Sequence, residues 1–189
     1  RDLHSFPTRR SSDLMPLYPQ WQGDDITANP GSNKQACAAL DAFASDGANK
    51  GVTDAWNQHY SVIKAANLIT ESAGNAPVAQ EKINVALGNA HFWRAYAYYY
   101  LVRVFGPVPL ITGTDVSQLD VAPSSVEKVY ELIVSDLKAA VNELPTKYEK
   151  EPSRLFGVDI WTTKQAAQAT LSAVYMSMAG YPLNKGTEY

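Results

Sequence analysis

Trp21, Gln22, Asp24 and Asp25, four side chains on one short stretch, are the residues of this sequence best typed for recognising a ligand. A sugar site needs a ring face to stack on and hydrogen-bonding groups beside it, and loop backbone supplies both. These four sit within Met15 to Pro30, where Pro16, Pro19, Gly23 and Pro30 interleave turn residues with Tyr18 and Trp21. The same pattern also reads as a tryptophan that pins a surface loop to the core beside a solvated Asp pair. Paired carboxylates suit metal binding or general acid-base work too, but adjacent residues in a loop fix no separation between their carboxyl groups.

Other reactive types are sparse. His59 has no second histidine at helical spacing, so it reads as a surface or interface histidine rather than a ligand or base. Cys37 is the single cysteine, which excludes an internal disulfide and a thiolate metal site and leaves a buried small apolar residue. Arg94 lies in an aromatic helix, where an unpaired guanidinium would be costly; a structural ion pair or a helix C-terminus answers this. Asn67 lies inside an apolar stripe and must find partners in an adjoining loop or helix end. No H-E-x-x-H, G-x-S-x-G, phosphate-binding glycine loop or paired cysteines occurs, and no two carboxylates are placed for glycoside hydrolysis. The reading is a protein that is not an enzyme and needs no cofactor or metal.

The bulk properties agree. With 189 residues, 46% hydrophobic and 19% charged, the chain can bury a sizeable core. A formal net charge of -3 gives no basic surface for nucleic acid or anionic lipid. No apolar run reaches the roughly 20 residues that span a bilayer.

The organising element is Val78 to Phe105, whose core reads N-A-H-F-W-R-A-Y-A-Y-Y-Y-L-V-R-V-F before Gly106-Pro107. Ala90 and Ala97 with Trp93, Tyr100, Leu101 and Val104 make one close-packing face. Phe92, Tyr96, Tyr99 and Arg103 make a second row, so the helix is expected to be covered on both sides. Tyrosine hydroxyls at its edge can reach backbone carbonyls. Gly106 can take a positive φ and close the helix, and Pro107 and Pro109 forbid its continuation.

Around it, Gly31 to Lys50 suggests a short helix and a loop. Val52 to Ser72 is periodic through Ala55, Trp56, Tyr60, Ile63, Ala66, Asn67 and Thr70 and should fold back antiparallel on the aromatic helix. Pro77 suits the first turn of that helix. Ile111 to Pro123 reads as an extended connector. A third helix opens with Ser124 and Glu127 as a capping box, with Val126, Val129, Tyr130, Ile133, Leu137, Ala140 and Val141 as its stripe. A long loop to Trp161 follows, with Phe156, Ile160 and Trp161 available to pack down. Thr162 and Gln165 then repeat the cap before a small-residue helix over 163–179 carrying Ala167, Thr170, Leu171, Val174 and Met178. The stops at Gly106 and Gly180 lie 74 positions apart, near twice the 34-residue period of tetratricopeptide hairpins. The fold class is therefore all-α, helical hairpins of tetratricopeptide type with long loop insertions, whose ends should present uncovered apolar faces.

Arg1 to Leu14 shares none of this patterning. From His4 it resembles the translation of a sequencing adapter, with a native basic tail as the alternative, so residues 1–14 are expected to stand outside a helical-repeat region at 15–189.

The run R-A-Y-A-Y-Y-Y-L-V-R-V-F-G-P-V-P-L resembles the signature of the SusD/RagB family of outer-membrane nutrient-binding lipoproteins. Trp56 to Ile69 is similar to the family's W-x-x-x-Y-x-x-I-x-x-A-N helix. Ala122 to Leu137 is similar to its P-R-S-S-V-x-x-V-Y helix, with Ser124 where the family often has Arg. Trp161 to Gly180 is similar to its small-residue helix, with Trp161 and Thr162 replacing the usual G-R-x, and G-Y-P-L-N follows. Trp56, Asn67, Arg94, Tyr98, Gly106 and Pro109 are the signature positions, with structural roles.

The resemblance covers about Leu17 to Tyr189. It implies an N-terminal and middle fragment cut at both ends, with an incomplete SusD-like superhelix. It also implies non-enzymatic capture of an oligosaccharide or other nutrient at the cell surface, a SusC-like TonB-dependent transporter as partner, and membrane attachment only through a lipid anchor that this chain lacks. The alternative that the residues alone support is a helical-repeat scaffold for protein interaction without a ligand of its own.

Overall fold

The computed structural model describes residues 35–115, 121–148, 154–155, 158–159 and 161–186. Its described elements are α1 (Gln35–Asp41), α2 (Lys50–Ser72), a 3-10 turn (Ala73–Asn75), α3 (Gln80–Phe105), β1 (Val108–Pro109), β2 (Pro123–Ser124), α4 (Val126–Glu143), β3 (Arg154–Leu155), β4 (Val158–Asp159) and α5 (Lys164–Ala179). The protein is helical, as its periodicities require. The chain divides into two compact units, Arg1–His59 and Tyr60–Tyr189, with α2 continuous through the division.

In the first unit, Asn49 organises the start of α2. Its side-chain oxygen accepts from the amides of Gly51 at 2.9 Å and Val52 at 3.4 Å, satisfying donors that a helix N-terminus leaves open. Its amide nitrogen donates to the Ala36 carbonyl at 3.0 Å and ties in α1. The helix thus begins two residues before Val52, ahead of Thr53 and Asp54. Cys37, Leu40 and Ala55 are buried here. Of the surface and interface readings of His59, the surface one is corrected: the residue is buried at 5% exposure, its Nδ1 lies 2.6 Å from the Ala55 carbonyl, and burial lowers its pKa.

In the second unit, α2 from Tyr60 onward and α3 run antiparallel. Tyr60 meets Tyr98 edge to face with centroids 6.4 Å apart, while Asn67 reaches Arg94. Helix α4 returns antiparallel on α3, with Asp136 opposite Arg94 and Glu143 opposite His91. Tyr98, Leu101, Val108, Val129, Ile133, Leu137 and Val174 fill the core, each fully buried. Helix α5 joins through Val174 and Met178, and its Ser177 Oγ lies 2.6 Å from the Tyr99 hydroxyl.

Two glycines set this geometry. Gly106 closes α3 at φ 71, a region that side chains disfavour, and so turns the chain at once into β1. At Gly88 a Cβ would lie 2.8 Å from Leu144 Cγ and 3.1 Å from Glu143 Cβ, so bare backbone lets the end of α4 approach. Gly88→Ala is expected to lower stability by about 1 kcal/mol net, because overpacking costs about 1–3 kcal/mol and the gain in helix propensity offsets only part of it. An unchanged or raised denaturant midpoint would contradict this.

Several expected boundaries move by one or two residues. The cap of α4 is Ser125, which accepts from the Lys128 amide, because Ser124 is occupied in the two-residue ladder with Val108. Likewise Thr163, not Thr162, caps α5 by accepting from the Ala166 amide. Pro77 precedes α3 instead of opening it, since the cap is Ala79. Gly180 ends α5 at φ -92, which any residue adopts, so it does not repeat the backbone role of Gly106.

The expected coverage of α3 is also corrected. Trp93 and Tyr96 are 47% and 46% exposed, because the helix spends its buried arc on Arg94, Tyr98 and Leu101 against α2 and α4. The exposed rings pack on Phe92, at 5.3 Å edge to face for Trp93 and 6.0 Å stacked for Tyr96. Trp161, at 47% exposure, sets its ring edge to face against Tyr148 instead of entering the core.

Candidate functional site

Three helices converge on a buried polar network that holds the connector after α3. Arg94 donates from Nε to Asp136 Oδ2 and from Nη2 to Oδ1, both at 2.7 Å, and from Nη1 to Asn67 Oδ1 at 2.9 Å. Residue exposures are 7% for Arg94, 4% for Asp136 and 0% for Asn67. Burial alone would lower the Arg94 pKa; the hydrogen bonds and charge of Asp136 outweigh it, and the net direction is upward. The guanidinium and carboxylate form a closed, two-bonded pair.

Asn67 then turns its amide to the connector, donating to the carbonyls of Ile111 at 2.9 Å and Gly113 at 3.1 Å. Tyr60 donates to the Pro109 carbonyl at 2.8 Å. The Ile111 amide donates to the Tyr98 hydroxyl at 2.7 Å, and that hydroxyl's one proton is shared between the carbonyls of Ile111 at 3.2 Å and Pro109 at 3.4 Å. Glu71 accepts from the Thr114 amide at 2.9 Å and from the Thr114 hydroxyl, and these bonds lower its pKa.

The partners on α2, in order 60, 67 and 71, meet connector positions 109, 111 to 113 and 114. The connector therefore runs parallel to α2 as an extended strap. The lengths match: eleven helical rises and five extended steps each span about 16 Å. The strap returns at β2, where Pro109 pairs with Pro123 and Val108 with Ser124.

Burial pushes the Tyr98 phenol up to about 12, and Tyr60 moves in the same direction for the same reason. A raised phenol pKa means that folding favours the neutral hydroxyl. Its contribution is complete below the ordinary tyrosine value near 10 and is lost as pH rises from about 10 through about 12. The thermal midpoint should therefore fall across that window, and Tyr98→Phe should flatten the fall. An identical alkaline profile for the variant would contradict this.

Against the side of α2 lies a shallow depression of about 330 Å³ lined by Ser61, Lys64, Ala65, Leu68 and Thr114. Its floor is mostly aliphatic, and the Thr114 hydroxyl is already spent on Glu71. His91 Nδ1 lies 2.7 Å from Glu143 Oε2, a pair that braces α3 on α4. Among the described residues no group of three or more histidine, cysteine, aspartate or glutamate side chains could hold a metal ion. No described helix is long and apolar enough to cross a membrane.

Of the positions singled out by sequence, Asn67, Arg94, Tyr98 and Pro109 meet in this network and Gly106 turns the chain into it. Trp56 is half-buried in the first unit. Trp21, Gln22, Asp24 and Asp25, with residues 1–14, Phe156 and Ile160, lie outside the described residues. Sequence reasoning missed Asp136. The available signal was a carboxylate between Ile133 and Leu137 on the buried arc of α4, where a charge requires a partner. It also missed Tyr60 as a strap ligand and Gly88 as a close approach.

A protein-family model described as SusD-like, "Starch-binding associating with outer membrane", matches residues 17–176. The chain is 34% identical over 139 residues to SusD-like protein P2 of Formosa agariphila, covering 71% of this chain and 26% of that one. It is 30% identical over 144 residues to a SusD-like protein of Bacteroides ovatus, covering 74% and 24%. It thus spans about a quarter of the length of these curated relatives. A crystal structure described as being with xylogluco-oligosaccharide superposes at a TM-score of 0.72 with 26% identity, covering 94% of this chain and 32% of that one.

Proposed function

The chain belongs to the SusD-like family, and from that membership we propose that it serves non-enzymatic capture of an oligosaccharide at the outer face of the outer membrane, in partnership with a TonB-dependent transporter. The observation that carries the reading is the match of residues 17–176 to a starch-binding, outer-membrane-associating family, supported by a fold shared with a solved relative described with a xylogluco-oligosaccharide. The buried network fits a binding scaffold: its charges are paired, its phenols stay protonated at neutral pH, and its bonds serve to hold the connector. The sugar contact falls to Trp21, Gln22, Asp24 and Asp25, whose types bring a ring face and hydrogen-bonding groups together on one stretch of sequence. Attachment to the membrane is through a lipid anchor.

A second reading is a helical-repeat scaffold that binds protein and no glycan. The exposed Trp93, Tyr96 and Met176 side chains, at 47%, 46% and 71%, favour it. Incubating the full gene product with a xylogluco-oligosaccharide separates the possibilities. Saturable binding with no release of reducing ends supports capture; release of reducing ends would overturn it in favour of an enzyme. Absence of binding together with copurification of a protein partner would favour the scaffold.

A further inference from the structure

We draw no further inference here: the strongest candidate, the exposed aromatic face of α3 where Trp93 and Tyr96 pack on Phe92, is an unpartnered helix face with nothing in the structure to show what covers it.

Discussion

Asp136→Ala should lower the free energy of unfolding by about 3–5 kcal/mol, the cost of leaving a buried guanidinium without its carboxylate. Asp136 accepts two bonds of 2.7 Å from Arg94 at a site where both side chains are nearly excluded from water. After truncation, Asn67 Oδ1 is the acceptor left at 2.9 Å, and it carries no charge to offset the desolvation. Urea denaturation measures the effect, and a loss below about 1 kcal/mol would show that the pair is not closed as described. The companion variant Arg94→Met with Asp136→Leu removes both charges and fills the space. It should recover much of the loss, because apolar replacement of a buried pair is often neutral or stabilising. If the double variant were as unstable as the single one, packing and not charge would be the dominant contribution.

Asn67→Ala should cost about 3 kcal/mol and loosen the strap more than the rest of the unit. The variant strips three partners at once: Arg94 Nη1 and the carbonyls of Ile111 and Gly113. The Ile111 carbonyl keeps the Tyr98 hydroxyl, so the cost falls on the Arg94 donor and the half-buried Gly113 carbonyl; a buried polar group left unsatisfied costs about 1–3 kcal/mol, and access of water to the loosened strap relieves part of the sum. Native-state hydrogen exchange distinguishes the local effect. The amides of Ile111 and Thr114, which donate to Tyr98 and Glu71, should exchange faster, while amides within α4 follow only the global loss. Uniform acceleration across α3, α4 and the strap would show that Asn67 supports the unit as a whole.

The contrast between these two sites shows what a sequence can disclose. Asn67 and Arg94 were legible because a polar side chain in an apolar stripe must be satisfied, whatever satisfies it. Their partners were not, since Asp136 lies 42 positions from Arg94 and Gly113 lies 46 from Asn67. Only the folded hairpin brings such distances together. The connector was legible as an extended segment and as a partner for Asn67, but not its register: the strap offers backbone carbonyls that every residue possesses, so its residue types do not say which of them Tyr60, Asn67 and Tyr98 engage.

The one-residue error at the cap of α4 has a particular cause. Ser124 and Ser125 are equivalent in type, and the choice between them was made by the pairing of Ser124 with Val108, a contact across a loop. Trp93 and Tyr96 were misplaced because the aromatic content of α3 exceeds what α2, α4 and α5 can cover. Hydrophobic type then ceases to report burial.

The candidate sugar contact is the part that rests on residue types alone, and calorimetric titration of the full gene product with a xylogluco-oligosaccharide addresses it most directly. The parent protein should bind saturably, and Trp21→Ala should weaken binding by about ten-fold or more, as loss of an aromatic anchor does. Asn67→Ala, measured where it remains folded, should keep the parent affinity, because the network is scaffold. No saturable binding by the parent would contradict the capture reading itself. Unchanged affinity in Trp21→Ala with a collapse in Asn67→Ala would place the glycan on the strap instead of at Trp21.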